Sequence, residues 1–297
     1  MPRLINSYSE ALLVSVRFNW ERTMKEFLCT DRDFKEIASL VYSACGIVLG
    51  DHKREMVYSR LARRIRELKL TDFKAYLEYL NNHKDKEFDA FINAITTNLT
   101  SFFREIHHFE FIKSELVPAL LKANKDSKRV RIWSAGCSTG EEPYSLAMTL
   151  NNAFPSNWDV KILATDLDSN VLAKAQKGIY TAANVNGLDD VQLKRWFLKS
   201  KDGENYKVRD KLKESISFKR LNLLQDWPMK GSFDLILCRN VVIYFDKETK
   251  DQLFKRYANI LNEQGYLFLG HSESMGKEHS QFKNLGKTMY QKGQNAR

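Results

Sequence analysis

Cysteine is scarce: the 297 residues hold four (Cys29, Cys45, Cys137 and Cys238), far apart and with no CxxC pair. Neither a zinc site nor a disulfide framework is indicated, and no metal is expected. Long apolar runs are missing, since none approaches the roughly 18 residues of a membrane span. The N-terminus offers only a weak apolar patch, Ala11–Val14 and Val16, behind Glu10, which is no secretory signal. Internal repeats and low-complexity tracts are absent as well. These absences point to a cytoplasmic protein with reduced thiols.

What is present is ordinary globular material, 43% hydrophobic and 28% charged, in a length that accommodates two domains. The net charge of +10 is uneven. Residues 52–70 carry seven Lys/Arg against two acids, and residues 194–220 carry ten against four, which leaves the remainder close to neutral. A uniform basic coat would fit non-specific nucleic-acid binding. Two local patches fit docking sites instead.

The chain changes character part-way along. Residues 21 to about 128 show helical periodicity with few breakers. Asp31/Asp33 open one helix, Asp51 another, and Thr71 stands at an N-cap position before DFKAYLEYL. Phe109–Asn124 reads as a helix crossing Pro118, and Lys125–Lys128 as a polar hinge. Short apolar runs then alternate with helical stretches: Val130–Ala135, Val160–Thr165, Ile216–Leu221, Phe233–Cys238, Gly265–Gly270 and Thr288–Gln291. That alternation implies a parallel sheet of βαβ units. The expected division is an N-terminal extension (1–28), an all-helical domain (29–98), a linking junction (99–128) and an α/β domain (129–292). The polar, basic interval 181–215 reads as a small inserted subdomain.

Residues 131–150, RIWSAGCSTGEEPYSLAMTL, run from an apolar segment through a small-residue loop to a helix. A P-loop needs GxxxxGK[ST], but Glu141 and Glu142 follow Gly140. A dinucleotide fingerprint needs GxGxxG, but Gly136 and Gly140 have no third glycine, and a pyrophosphate would face two carboxylates. S-adenosylmethionine has no phosphate and carries an ammonium and a sulfonium, so an acid beside the loop helps to hold it. Asp166 ends the next apolar run, 26 residues after Gly140, where an acid accepts hydrogen bonds from ribose hydroxyls.

Several stretches align in order: TTNLTSFFRE (96–105), SAGCSTGEEPYSLAM (134–148), ATDLDSNVLAKAQKGIY (164–180), RLNLL (220–224), LCRNVVIYF (237–245) and GYLFLGHSE (265–273). From about Asp31 to Tyr290 the chain resembles the CheR-type chemotaxis receptor glutamate methyltransferase family. The resemblance implies a Rossmann-like methyltransferase domain with an inserted small β-subdomain, preceded by an all-α domain. It implies S-adenosylmethionine as methyl donor, S-adenosylhomocysteine as product, and glutamyl methyl esters on a chemoreceptor. It puts Asn98, Thr100 and Arg104 over the cofactor, with Gly136 in the binding loop. Glu141 would lie at the methionyl end, Asp166 on the ribose, Asn222 and Leu223 along the adenine, and Arg239 and Asn240 beside the methionyl part. Arg104 and Tyr244 would stand near the transferable methyl. Relatives dock a receptor's C-terminal peptide at the inserted segment, and the loop Lys199–Lys207 is short for that version.

The chemistry agrees with these residue types. A glutamate acceptor, of ordinary pKa about 4.3, is already ionised at neutral pH. No general base is needed, and His107, His108 and His271 show no evident carboxylate relay in the sequence. The task is to hold an oxygen within about 3–3.5 Å of the methyl, which a guanidinium and a phenol can do by hydrogen-bonding the carboxylate. On a helical wheel of residues 53–68, Lys53, Arg60, Arg63 and Arg64 share one arc of about 100°, beside a separate arc of Val57, Leu61, Ile65 and Leu68. The basic arc is the expected docking face for an acidic receptor helix. The expected partner is thus an acidic helical bundle, with no nucleic acid, and the chain a monomer. An RNA methyltransferase is an alternative, raised by the pI of about 9.3; LCRNVVIYF lacks the [DN]PP[YF] of amino-methylating enzymes. A non-catalytic cofactor-sensing module is another.

Overall fold

The computed structural model describes residues 25–276 and 279–293. Two compact units divide the chain. Among the described residues, the first comprises 25–40 and Leu49–Ile95; the second comprises Val41–Val48, 96–276 and 279–293. The cut at Ile95 falls three residues before the expected domain end, and the junction 99–128 groups with the second unit.

The first unit is helical: α1 (Asp31–Cys45, whose last residues group with the second unit), α2 (Arg54–Glu67), α3 (Phe73–Asn82) and α4 (Lys84–Ile95). Thr30 and Asp33 start α1 reciprocally. The Asp33 carboxylate accepts from Thr30 N and Oγ1, both 2.7 Å, and Thr30 Oγ1 accepts from Asp33 N at 3.2 Å. A 3-10 turn, Asp51–Lys53, precedes α2. The cap of α3 is Asp72 rather than Thr71, because the Asp72 carboxylate accepts from Ala75 N at 2.8 Å. Periodic apolar side chains fill the core: Phe34 and Ile37, then Val57, Leu61 and Ile65, then Phe73, Tyr76 and Leu80, then Phe91, Ile92 and Ile95.

The second unit begins its regular structure with α5 (His107–Phe111), a π turn (Ile112–Leu116) and α6 (Val117–Ala123). The expected continuous helix is thus interrupted just before Pro118. Proline lacks an N–H and crowds the carbonyl four residues back, and the wider π turn relieves both problems. The chain continues through β1 (Arg129–Ala135), α7 (Glu141–Leu150), β2 (Asp159–Asp166) and α8 (Ser169–Lys177). Next come β3 (Ile179–Thr181), α9 (Ala182–Val185), α10 (Asp190–Trp196), β4 (Phe197–Lys199), β5 (Asn205–Val208) and α11 (Asp210–Lys213). It ends with β6 (Ile216–Arg220), β7 (Phe233–Cys238), α12 (Lys247–Ile260), β8 (Leu261–Leu269), β9 (Phe282–Gly286) and β10 (Met289–Lys292).

The main sheet runs β6-β2-β1-β7-β8-β10-β9. The first five strands are mutually parallel, while β10 is antiparallel to both its neighbours. Strand β9, a short FKNLG stretch at the sheet edge, had no counterpart among the expected strands. Both sheet faces are covered. Ile132, Leu235, Leu237 and Phe268 point into one core with Phe109, Leu116 and Leu146. Trp133, Ile236, Cys238 and Leu267 point into the other with Leu253, Phe254 and Tyr257 of α12. The period of two along each strand makes this possible. A separate antiparallel sheet, β3-β5-β4, forms the inserted segment; Tyr180, Trp196, Phe197 and Val208 join it to the first core. No helix among the described residues is long and apolar enough to cross a membrane.

Candidate active site

From β1 the chain moves outward in one direction through β2 to β6, and in the other through β7 to β8. The order therefore reverses between β1 and β7, and open α/β sheets bind ligands at the carboxyl ends of strands beside such a reversal. The residues at those ends are Gly136 after β1, Asp166 at the end of β2, Asn222 after β6 and Arg239 after β7. Four widely separated stretches of sequence thus meet at one edge of the sheet.

The loop after β1 is built on backbone freedom. Gly136 and Gly140 have φ of 92° and 99°. A Cβ on Gly140 would stand 2.9 Å from Ala175 Cβ and from the Tyr180 hydroxyl oxygen. Gly136 N and Cys137 N both donate to Thr165 O, at 2.8 and 2.9 Å. Ser138 N donates to Asp166 Oδ2 at 2.8 Å, and Asp168 N to Asp166 Oδ1 at 3.0 Å. Burial outweighs these two bonds and pushes the Asp166 carboxyl up to about 6. Glu141, 3% exposed, is likewise raised by burial and accepts from Thr139 Oγ1 at 2.6 Å.

Arg239 is the electrostatic centre. Its side chain is 2% exposed, with Nη1 3.0 Å from Glu142 Oε2 and Nη2 3.3 Å from Glu105 Oε2. Nη2 also donates to the Arg104 carbonyl, so the strand-end arginine holds the backbone of the loop that carries Arg104. Burial acts to raise Glu105, but the hydrogen bond from His271 and the Arg239 charge hold its carboxyl down at about 2. His271 Nδ1 lies 2.9 Å from Glu105 Oε1, and His271 N donates to the same oxygen. A carboxylate–histidine pair therefore exists, contrary to the expectation that the histidines have none. His108, fully buried, is pushed down to about 4 by burial and by the Arg239 charge. Its Nε2 faces Lys287 O at 3.1 Å, while Nδ1, 3.6 Å from Glu105, has no hydrogen-bond partner among the described residues. Ligand atoms of Glu105, His107 and His108 lie within 4.8 Å of one another, yet the guanidinium of Arg239 already supplies the cation against that carboxylate.

The all-alpha domain of the CheR methyltransferases matches residues 32–96, and their SAM-binding domain matches residues 98–291. The chain belongs to the CheR methyltransferase family. It is 44% identical to the chemotaxis protein methyltransferase of Escherichia coli over 268 residues, 88% of this chain and 91% of that one. Identity to the Salmonella typhimurium protein of the same name is 43%, covering 88% and 90%. For chemotaxis protein methyltransferase 2 of Pseudomonas aeruginosa it is 40%, covering 90% and 95%.

S-adenosylmethionine is the CheR cofactor, and the site offers features that suit it. Arg239 Nε is a buried donor with no acceptor among the described residues, as a carboxylate ligand would require. Asp166 is a desolvated carboxylate that gains from hydroxyl donors. Other expected ligands already have protein partners. Asn98 Nδ2 donates to Asp168 Oδ2 at 2.8 Å, and Asn222 Nδ2 donates to Ala44 O at 2.7 Å. Leu223 is buried, Thr100 is half-buried, and Asn240 holds a left-handed φ of 59°. Arg104 Nη1 donates to Leu99 O at 2.8 Å, and Tyr244, half-buried, ends a 3-10 turn after β7.

Sequence reasoning passed over Asp168, Glu105 and Glu273, and gave Glu142 no partner. Asp168, 2% exposed, caps α8 through Asn170 N and also accepts from Thr96 Oγ1 at 2.7 Å. The Asp-Ser-Asn stretch before an apolar helix signals that cap; nothing local signals its link to Thr96 and Asn98. On α2 the basic arc needs correction. Arg64 makes a two-point contact with buried Glu87, Nε–Oε1 3.0 Å and Nη2–Oε2 2.6 Å, and Tyr76 OH donates to the same carboxylate. Arg60 Nη1 donates to Ile95 O at 2.7 Å, closing the end of α4. Arg60, Arg64 and Lys53 are each half-buried, and Arg63 is the exposed member of the set.

Proposed function

We propose that this CheR-family chain transfers the methyl of S-adenosylmethionine to glutamate side chains of an acidic chemoreceptor helix, forming glutamyl methyl esters. The observation that carries the reading is the pairing of two loops at the strand ends. One holds Arg104, the other Arg239–Tyr244, and the Arg239 guanidinium joins them through the Arg104 carbonyl. The names of the relatives, at 40–44% identity over nearly their whole length, support the receptor as substrate.

When bound, the cofactor supplies an electrophilic methyl on a positively charged sulfur. This chain's residues then do three things. Asp166 and the Gly136–Gly140 loop hold the nucleoside end. Glu141 and Arg239 serve the methionyl end, the first for its ammonium and the second for its carboxylate. Arg104 and Tyr244 hydrogen-bond the incoming glutamate carboxylate and fix one oxygen for attack. The acceptor arrives ionised, so the His271–Glu105 pair has no proton to remove, and Glu105 works as the counter-ion of Arg239.

Incubation with labelled S-adenosylmethionine and receptor-containing membranes tests the reading. Label on protein that is released by mild base supports the ester. Base-stable protein label would move the acceptor away from carboxylates, and label appearing in added total RNA would replace the reading with the RNA one.

A further inference from the structure

The turn Gly270–Glu273, which follows β8, reaches both site loops. Glu273 is 4% exposed. Its Oε2 accepts from Gly270 N at 2.6 Å and Asn240 N at 2.8 Å, and its Oε1 accepts from Ile243 N at 3.1 Å. Burial raises this carboxyl and the backbone N–H groups act against the rise. A carboxylate so enclosed is tolerated only when several donors meet it, and here each of those three donors is backbone.

Those donors mark what the carboxylate holds. Asn240 has φ of 59°, in the left-handed region, which a non-glycine residue keeps only where its surroundings enforce it. Gly270 fits closely against it: a Cβ there would stand 2.5 Å from Asn240 Nδ2 and 2.7 Å from Asn240 N. Ile243 N, the third donor, directly precedes Tyr244. The next residue of the turn, His271, donates its N–H to Glu105 at 3.1 Å, and Glu105 directly follows Arg104. Neighbouring N–H groups of one turn therefore reach two carboxylates, one anchoring each loop.

We infer that Glu273 is a positioning residue for methyl transfer, setting Asn240 and Tyr244 in register with Arg104. The inference rests on the methyltransferase reading above. An ionised carboxylate is required because glutamine would turn an NH2 group toward a backbone N–H, replacing at least one of the three bonds with two opposed donors.

The test uses the full chain, receptor-containing membranes and labelled cofactor, well below the melting temperature of every variant. Glu273→Gln should lower kcat at least ten-fold per folded molecule with both substrates saturating. Glu273→Asp, which keeps the charge with a shorter reach, should retain more activity than the glutamine variant. Gly270→Ala, which presses on Asn240 and leaves the charge untouched, should lower kcat at least five-fold. A purely structural role would lower the melting temperature and leave kcat per folded molecule within two-fold of wild type; that result in Glu273→Gln, or in Gly270→Ala if the former does not fold, overturns the proposal. An aspartate variant no better than the glutamine one overturns the need for charge. Failure of the wild type to label receptor would instead count against the function itself.

Discussion

Arg63 and Arg64 are neighbours on α2, yet reversing each to glutamate should give opposite results. Arg64 holds Glu87, whose side chain is 4% exposed against 24% for Arg64. Arg64→Glu would set a new carboxylate beside Glu87 and Glu67, both of which Arg64 now neutralises. Removing one partner of a buried pair costs about 3–5 kcal/mol, and the partial exposure of Arg64 places the loss near 3. For a domain of roughly 60–100 residues each kcal/mol is worth about 4–8 °C, so the first unit should melt about 12–24 °C earlier. Arg63 is exposed, and its reversal should shift stability by no more than about 0.5 kcal/mol. If the exposed basic side of α2 docks an acidic helix, Arg63→Glu should slow receptor methylation at low salt. That effect should fade as the Debye length falls from about 30 Å at 0.01 M to about 8 Å at 0.15 M. Circular-dichroism melts and hydrogen exchange across Arg54–Glu67 give the stability readout, and initial rates at subsaturating receptor give the docking one. A destabilisation below about 1 kcal/mol in Arg64→Glu would refute the buried-pair reasoning. Unchanged low-salt rates in Arg63→Glu would remove docking from this helix. The triple change Arg64→Met, Glu87→Leu and Tyr76→Phe serves as control: replacing both ion-pair partners by apolar groups is often near neutral, and the phenylalanine removes the buried Tyr76 hydroxyl that would otherwise lose its acceptor.

Three further outcomes follow from the second unit. Asp166 stands at about 6 in the fold against 3.8 for the free acid, so its neutral form favours folding: that contribution is full below pH 3.8 and is lost as pH rises through 6. Cofactor binding has the opposite sign, and calorimetry should show affinity declining below pH 6 by up to a decade per unit. Flat affinity between pH 5 and 7.5, or unchanged affinity in Asp166→Ala, would end its ribose role. Arg104→Ala and Tyr244→Phe should lower turnover more than cofactor affinity, and loss of affinity alone, with saturated turnover intact, would reassign both to the cofactor. Gly140→Ala forces a side chain onto φ of 99° and a Cβ to 2.9 Å from Ala175. It should cost about 1–3 kcal/mol in a thermal melt and weaken cofactor binding, whereas a melting temperature equal to wild type would show that the loop relaxes freely.

The strand ends were legible because each carries its signal locally. Gly136, Asp166 and Arg239 sit where an apolar run stops, and a parallel sheet brings such stops to one edge whatever lies between them. Phe197 and Val208 lie in the polar stretch, yet both fold back into the core as part of the inserted sheet. Edge strand β9 escaped notice because an exposed FKNLG segment has too little apolar alternation to announce itself. The charges were the least legible. A helical wheel groups Arg60, Arg63 and Arg64 by angle alone, and only packing against α4 reveals that Glu87 waits opposite one of them and the carbonyl end of α4 opposite another. The same holds for Glu105, Glu142 and Glu273. Each looks like a surface acid in the sequence, since no neighbouring residue tells what the fold will set against it. Burying such a group is costly unless partners arrive from elsewhere in the chain. Here Arg239 comes from β7 to meet Glu105 and Glu142, and the backbone of residues 240–243 comes to meet Glu273. A carboxylate buried beside a strand end is therefore a reason to look for the loop it fixes. The loops that Glu105, Glu142 and Glu273 fix carry Arg104 and Tyr244, the two residues we propose for the methyl-transfer step.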